Sequence, residues 1–427
     1  MLRRIRALAA AALVVAPLAL VGCSSQLAPD PAPSDGGDLV RTGRDPDDEF
    51  VVTARDLGIH SFSTQPQVPT SAIRLNCYPG WSAVNPVAGQ YDWVEFDRIV
   101  EQAEAWGYED ILYVFCSTPP WAGEPLAGTD QAAFGPGTAQ APADMATFEA
   151  YVRAVAERYR GRIDGYEVWN EPGSPQFFTG TPEQMGEMTE IVSRTVDVAD
   201  PAAYVVSAGF QTHIPDRYDE FVPDYFADLR ARDWPIDAVS AHFYPLAEGT
   251  PATRSAQITR LQEDLDKYGA PSDLGLWDTE VNYNVDLPGG APAGRISGTG
   301  AAAWTAQSYL DGWRLGVRRT YWYLWTAEYY GFPGIQMRLG DPATVALQTL
   351  GSWVIGTTFT GCAEADKVVQ CRFRKEDGTE FQVAWSNEDD GVPITVAPGS
   401  LVCPVDGAAC TSQSGELVVS ALPVRIG

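Results

Sequence analysis

The chain is poor in the residues that most metal and nucleotide chemistry needs. Among its 427 residues there are three histidines, His60, His213 and His242, in no paired ligand spacing. No CxxC occurs, so no metal site is expected and no cofactor is implied. Neither GxGxxG nor a P-loop run appears, which removes the support for nucleotide chemistry. Basic charge is scarce: Lys and Arg total 29 against 56 Asp and Glu, a formal net charge of −27. Phosphate contacts need clustered Lys and Arg, so no nucleic-acid partner is expected. A field of this sign repels polyanions outside any local basic pocket. After the first two dozen residues no apolar run is long enough for a transmembrane helix.

What is present points outward from the cell. Arg3, Arg4 and Arg6 precede an apolar stretch, Ala7 to Gly22, that is short for a membrane span and reads as a signal peptide over residues 1–22. It ends Leu20-Val21-Gly22-Cys23, which resembles the bacterial lipobox. That resemblance implies lipidation of Cys23 and anchoring of the exported protein to the outer face of the cell membrane; an ordinary cleaved signal is the alternative. Residues 23–49, rich in Pro, Gly and Asp, read as a lipidated cysteine followed by a flexible tether. Six cysteines remain, an even number that suggests disulfides in an exported protein. Proximity favours Cys362–Cys371 and Cys403–Cys410, leaving Cys77–Cys116; buried free thiols are the alternative.

With 45% apolar and 11% aromatic residues the chain can bury a large core. Residues 50–356 alternate short apolar runs with segments of helical period. The runs are Leu57–Phe62, Ala72–Tyr78, Asp110–Cys116, Gly165–Glu171, Tyr204–Phe210, Ala238–Tyr244, Gly275–Glu280 and Thr320–Trp325. Between them Phe96, Ile99, Val100 and Ala103 form a helical stripe, as do Phe148, Tyr151, Val152 and Val155, and Ile258, Leu261, Leu265 and Tyr268. Apolar strands alternating with amphipathic helices predict a parallel sheet buried on both faces. Eight units predict an α/β fold, a closed (β/α)8 TIM barrel. An open doubly wound sheet is the rival, but its glycine-rich first turn is missing. Residues 357–427 change character, with short strands at Val368–Phe373, Glu380–Trp385, Val392–Val396 and Leu417–Val419 and a turn at Asp377-Gly378. They predict a small C-terminal all-β, sandwich-like domain.

Active sites of such barrels lie at the C-terminal ends of the strands. Two carboxylates end apolar runs: Glu171 in Trp169-Asn170-Glu171-Pro172, and Glu280 in Asp278-Thr279-Glu280. Two carboxyls at one mouth can divide the work, one protonated to donate to a leaving oxygen, the other ionised to attack or to position water.

Trp-Asn-Glu-Pro at the fourth strand and Thr-Glu at the seventh resemble the signature of clan A glycoside hydrolases. Arg74 on the second strand, His242 and Tyr244 on the sixth and Trp325 on the eighth add to the resemblance. The stretch Trp81, Asn85-Pro86, Gly89-Gln90-Tyr91-Asp92-Trp93 and Thr118-Pro119-Pro120-Trp121-Ala122 resembles family 39 and its relatives. The resemblance implies a retaining double displacement with Glu171 as acid/base and Glu280 as nucleophile. It implies that Asn170 bonds the sugar 2-hydroxyl, that Arg74 and Tyr244 hold Glu280, and that His242 binds a substrate hydroxyl or orients Tyr244 or a carboxylate. Trp325 would floor the sugar, with Trp121 and His60 as weaker contacts. The blander roles are that Arg74 neutralises Glu167 and that His242, Trp325 and Trp121 are core. Phe177 and Phe178 could line a groove or pack a loop, and the loop Gly123–Ala143 could shape that groove. The partner implied is an oligo- or polysaccharide with β-linked or α-L-arabinofuranosidic bonds, acted on by a monomer. A non-catalytic carbohydrate-binding lipoprotein on the same fold, or a transglycosylase, is the alternative.

Overall fold

The computed structural model describes residues 43–126, 128–246, 248–284, 295–327 and 334–427. The signal segment, Cys23 and most of the expected tether lie outside the described residues. Eight parallel strands form a ring: β1 (Leu57–Ile59), β2 (Ala72–Leu75), β3 (Asp110–Val114), β4 (Gly165–Glu167), β5 (Tyr204–Val206), β6 (Ala238–His242), β7 (Gly275–Val281) and β8 (Arg319–Trp322). Each pairs with the next and β8 returns to β1, so the sheet has no free edge. Helices α1 (Val94–Ala105), α2 (Met145–Arg158), α3 (Pro182–Ala199), α4 (Pro215–Ala231), α5 (Pro251–Lys267), α6 (Gly298–Arg314) and α7 (Pro342–Val354) follow β2 to β8 in order. An irregular segment joins β1 to β2.

Local chemistry sets these elements. Thr181 and Gln184 form a capping box at the start of α3, with Pro182 in its first turn, and the Asp144 side chain accepts from Ala146 N–H at the start of α2. The stripe residues of α1 and α2 and the first three of the α5 stripe are buried, while Tyr268 caps α5. Most ladders stop before the apolar runs do. The fourth run reaches Glu171, but β4 ends at Glu167. The last residues of these runs leave the sheet, which frees their side chains for the barrel mouth.

The C-terminal part is one seven-stranded antiparallel sheet: β9 (Thr358–Ala365), β10 (Val368–Arg374), β11 (Glu380–Trp385), β12 (Val392–Pro404), β13 (Thr411–Val419) and β14 (Val424–Ile426), with the two-residue strand Phe50–Val51 paired to β9. Residues just before the barrel thus belong to this sheet. Phe50, Trp313 of α6, Phe359 and Phe373 join it to the barrel in one aromatic cluster. Arg44, expected in the tether, is instead buried against α5, donating to Gln262 and Asp266. All three expected disulfides are present, Cys77–Cys116, Cys362–Cys371 and Cys403–Cys410.

Candidate active site

Glu280, near the end of β7, is held at both oxygens. Arg74 Nη1 donates to Oε1 at 2.6 Å and Asn76 Nδ2 to the same oxygen at 3.0 Å. Tyr244 OH donates to Oε2 at 2.8 Å. Burial by itself would raise this carboxyl; the positive charges of His242 and Arg74 outweigh it and carry the pKa down to about 2. These partners favour the ionised form of Glu280. Arg74 spans two acids, because its Nε and Nη2 bond Glu167 at 2.6 and 2.9 Å while Nη2 also reaches Asn170 Oδ1 at 3.1 Å. Both roles considered for Arg74 are filled at once, and Glu167 is a buried, paired charge.

Glu171 lies just past β4 with its backbone in the left-handed region (φ 48°), a conformation few residues other than glycine adopt and one found at strained functional positions. Its N–H donates to Gly209 O at 2.7 Å. Gly209 must be glycine: a Cβ there would run into the Glu167 carboxylate, His242 Nε2 and Ser240 Oγ. Glu171 Oε1 meets His242 Nδ1 at 2.9 Å and Oε2 accepts from Gln211 Nε2 at 2.7 Å. Burial, and then the Glu280 charge, raise the Glu171 pKa against the pull of His242. Burial lowers that of His242, but Glu280 and Glu171 together more than reverse it. Both partners thus bind a proton more tightly than usual, as a pair sharing one proton does.

One oxygen each of Glu171 and Glu280 and a ring nitrogen of His242 lie within 4.8 Å of one another. That span would suit a cation, but Arg74 and Tyr244 already occupy both oxygens of Glu280. The two carboxyls open into a cavity of about 1110 Å³, also lined by Asn76, Asn170, Gln211, His213, Tyr244 and Tyr323. A buried acid pair with opposed pKa shifts in a large concave site is the arrangement expected of acid/base and nucleophilic chemistry.

The fold is shared with solved glycoside hydrolases. The chain is similar to a family 39 glycoside hydrolase from the gut symbiont Bacteroides cellulosilyticus WH2, 18% identical with a TM-score of 0.65, covering 88% of this chain and 82% of that one. It is also similar to a family 30 endoxylanase from Clostridium papyrosolvens C71, 14% identical over 88% and 97% of the two chains at 0.60. A family 39 β-xylosidase from Caulobacter crescentus gives 15% identity over 87% and 95% at 0.59. No protein-family model and no curated protein matches the sequence. At these identities the likeness is one of fold.

Of the residues singled out in the sequence, Glu171, Glu280, Asn170, Arg74, His242 and Tyr244 converge. Arg74 and His242 contact the two carboxyls without lining the cavity, and three further residues do not line it either. Trp325 is buried in the barrel core. Trp121 donates its indole N–H to Asn85 O and meets the edge of Trp81. His60 is buried, bonded through Nε2 to Thr279 O at 2.8 Å and packed against the Tyr323 ring; it supports the wall rather than forming it. The aromatic at the end of β8 that faces the cavity is Tyr323, two residues before Trp325. Phe177 lines the cavity while Phe178 is core, and the loop Gly123–Ala143 contributes Ala133 and Phe134. Asn76 was legible, since strand alternation places it on the same side as Arg74. Gln211 carried a weaker signal, a polar residue directly after the fifth apolar run.

Proposed function

We propose that the protein is a retaining glycoside hydrolase in which Glu280 is the nucleophile and Glu171 the acid/base. The observation that carries this reading is the approach of two buried carboxyls to within 4.8 Å at their nearest oxygens, one held ionised and one shifted up. Retention goes with carboxyls roughly 5–5.5 Å apart, whereas inversion needs room for an intervening water.

In the first step a Glu280 oxygen bonds the anomeric carbon as the glycosidic C–O bond breaks, and Glu171 passes its proton to the leaving oxygen. The glycosyl ester no longer carries the Glu280 charge, so one cause of the raised Glu171 pKa is gone. Glu171 then takes a proton from water as the water oxygen bonds the anomeric carbon and the ester C–O bond breaks. Arg74, Asn76 and Tyr244 keep Glu280 ionised and aimed. Asn170, its amide oxygen held by Arg74, presents its NH2 to the sugar 2-hydroxyl.

The substrate is a polysaccharide with β-linked or α-L-arabinofuranosidic bonds, and the cavity holds several sugar units. Three disulfides fit an exported protein, and among the described residues no helix is long and apolar enough to cross a membrane. Lipidation of Cys23 would tether the enzyme at the cell surface. The test is hydrolysis of aryl glycosides and a polysaccharide panel, with product anomers followed by NMR. Retention, loss of turnover in Glu280→Gln, and loss in Glu171→Ala that is greatest for poor leaving groups are expected. Inverted products, or wild-type rates in Glu171→Ala on poor leaving groups, overturn the reading.

A further inference from the structure

Glu171 has two carboxyl oxygens, and the fold meets each with a different partner. Oε1 faces His242; Oε2 accepts from Gln211 Nε2. Ser174 Oγ donates to the Gln211 Oε1 at 2.9 Å, and the NH2 end faces Glu171. Gln211 lies on the two-residue strand Phe210–Gln211 that pairs with β6, and its register partner is His242. A single backbone pairing thus sets the partners of both oxygens. The arrangement closes on itself, since Ser174 N–H donates to the Glu171 carbonyl at 3.0 Å.

An amide NH2 can only donate. It bonds a bare carboxylate oxygen strongly and a protonated carboxyl less well, so it favours the ionised form. We propose that Gln211, clamped by Ser174, is a positioning residue that orients Glu171 and favours its carboxylate, the form that accepts a proton from water in the second half-reaction. This rests on the reading of Glu171 as acid/base. The other charged groups facing Glu171 are His242 from β6, Glu280 from β7 and Arg74 from β2, with Glu167 on its own strand and Arg217 of α4 on the cavity wall. None of them explains an uncharged donor fixed on Oε2.

The experiment compares Gln211→Ala, Gln211→Glu and Ser174→Ala with the wild type. Carbon-13 NMR of labelled glutamate carboxyls follows Glu171, identified by the resonance missing in Glu171→Gln. Gln211→Ala should raise its midpoint by about one pH unit, Ser174→Ala by less, and the near-isosteric Gln211→Glu by more, because a second carboxyl then shares the site. An unchanged midpoint in folded Gln211→Ala and Gln211→Glu overturns the proposal. The second readout uses aryl glycosides with good leaving groups, whose kcat reports the second step. There kcat should fall roughly 10-fold in Gln211→Ala while kcat/KM changes little. Equal losses in both parameters mark a merely structural role and overturn the positioning claim. The titration needs no turnover: a shifted midpoint in a protein that cleaves no glycoside would sink the glycosidase reading while upholding the control of Glu171 by Gln211.

Discussion

The two ends of the barrel use the same ingredients to different ends. At the N-terminal end Asp110 and Arg319, the first residues of β3 and β8, pair at 2.8 Å, and Tyr204 OH, from the start of β5, donates to Asp110 at 2.5 Å. The Arg319 guanidinium lies over the rings of Trp277 and Tyr204. At the C-terminal end Arg74 is shared by two carboxylates, and a third, Glu171, stands beside them with His242. The lower network is sealed by aromatic rings; the upper has a carboxyl and a proton to spare and opens into the cavity. A perturbed carboxyl does not separate the ends, because Asp164 near the bottom is also pushed up, to about 6, by burial and by Asp110. Access and an unbalanced acid count do separate them.

This contrast can be broken by substitution. Glu280→Gln at the top should cut aryl-glycoside turnover by roughly 10⁴-fold or more while Arg74 keeps its pair with Glu167. The mirror experiment, Asp110→Asn at the bottom, should cost about 3–5 kcal/mol of stability by stranding Arg319. The folded fraction should keep its kcat, and denaturant unfolding beside steady-state kinetics checks both.

The disulfides give a smaller effect. Cys77–Cys116, at the mouth, bridges 39 residues, against 9 and 7 for the two in the β-sheet. Loop-closure entropy assigns about 4 kcal/mol to the first and about 2.5 to each of the others. Cys77→Ser should therefore lower the melting temperature more than Cys403→Ser, and equal shifts would contradict this.

The shallowest test is acidity. Burial lowers the pKa of His60 and His213 from 6.5 to about 3 and about 4, and Glu280 falls from 4.5 to about 2. Each binds a proton more readily unfolded than folded. Their contribution is complete above pH 6.5 and is lost as the pH falls toward 2, with Glu171 and His242 shifted the opposite way and offsetting part of it. Melting temperature should decline steadily from pH 7 to pH 3; a flat profile to pH 4 would show that the upper network does not couple to folding.

The eight staves and the pair of acids were legible because burial on both faces leaves continuous apolar runs, and a glutamate closing such a run stands out. Three further strands of the C-terminal sheet were not, the three-residue Val424–Ile426 among them. Thr358–Ala365 is a bulged, half-exposed strand with weak alternation, and Phe50–Val51 is two residues drawn from before the barrel. Trp325 misled because residue type and strand number were right while the position was off. The chain leaves the β8 ladder at Trp322, and Tyr323 is the ring that faces the cavity. Gln211 was hidden for a related reason: β5 breaks after Val206 and resumes at Phe210 beside a different stretch of β6.

By itself the sequence determined the periodicity, and through it a closed parallel barrel with Glu171 and Glu280 at strand ends, because burial patterns are written locally. Only the tertiary structure decided which cation balances which acid, which oxygen of Glu171 meets which donor, and which aromatic faces the cavity. Those depend on register between strands far apart in the chain, where a shift of one residue turns a side chain from the cavity to the core.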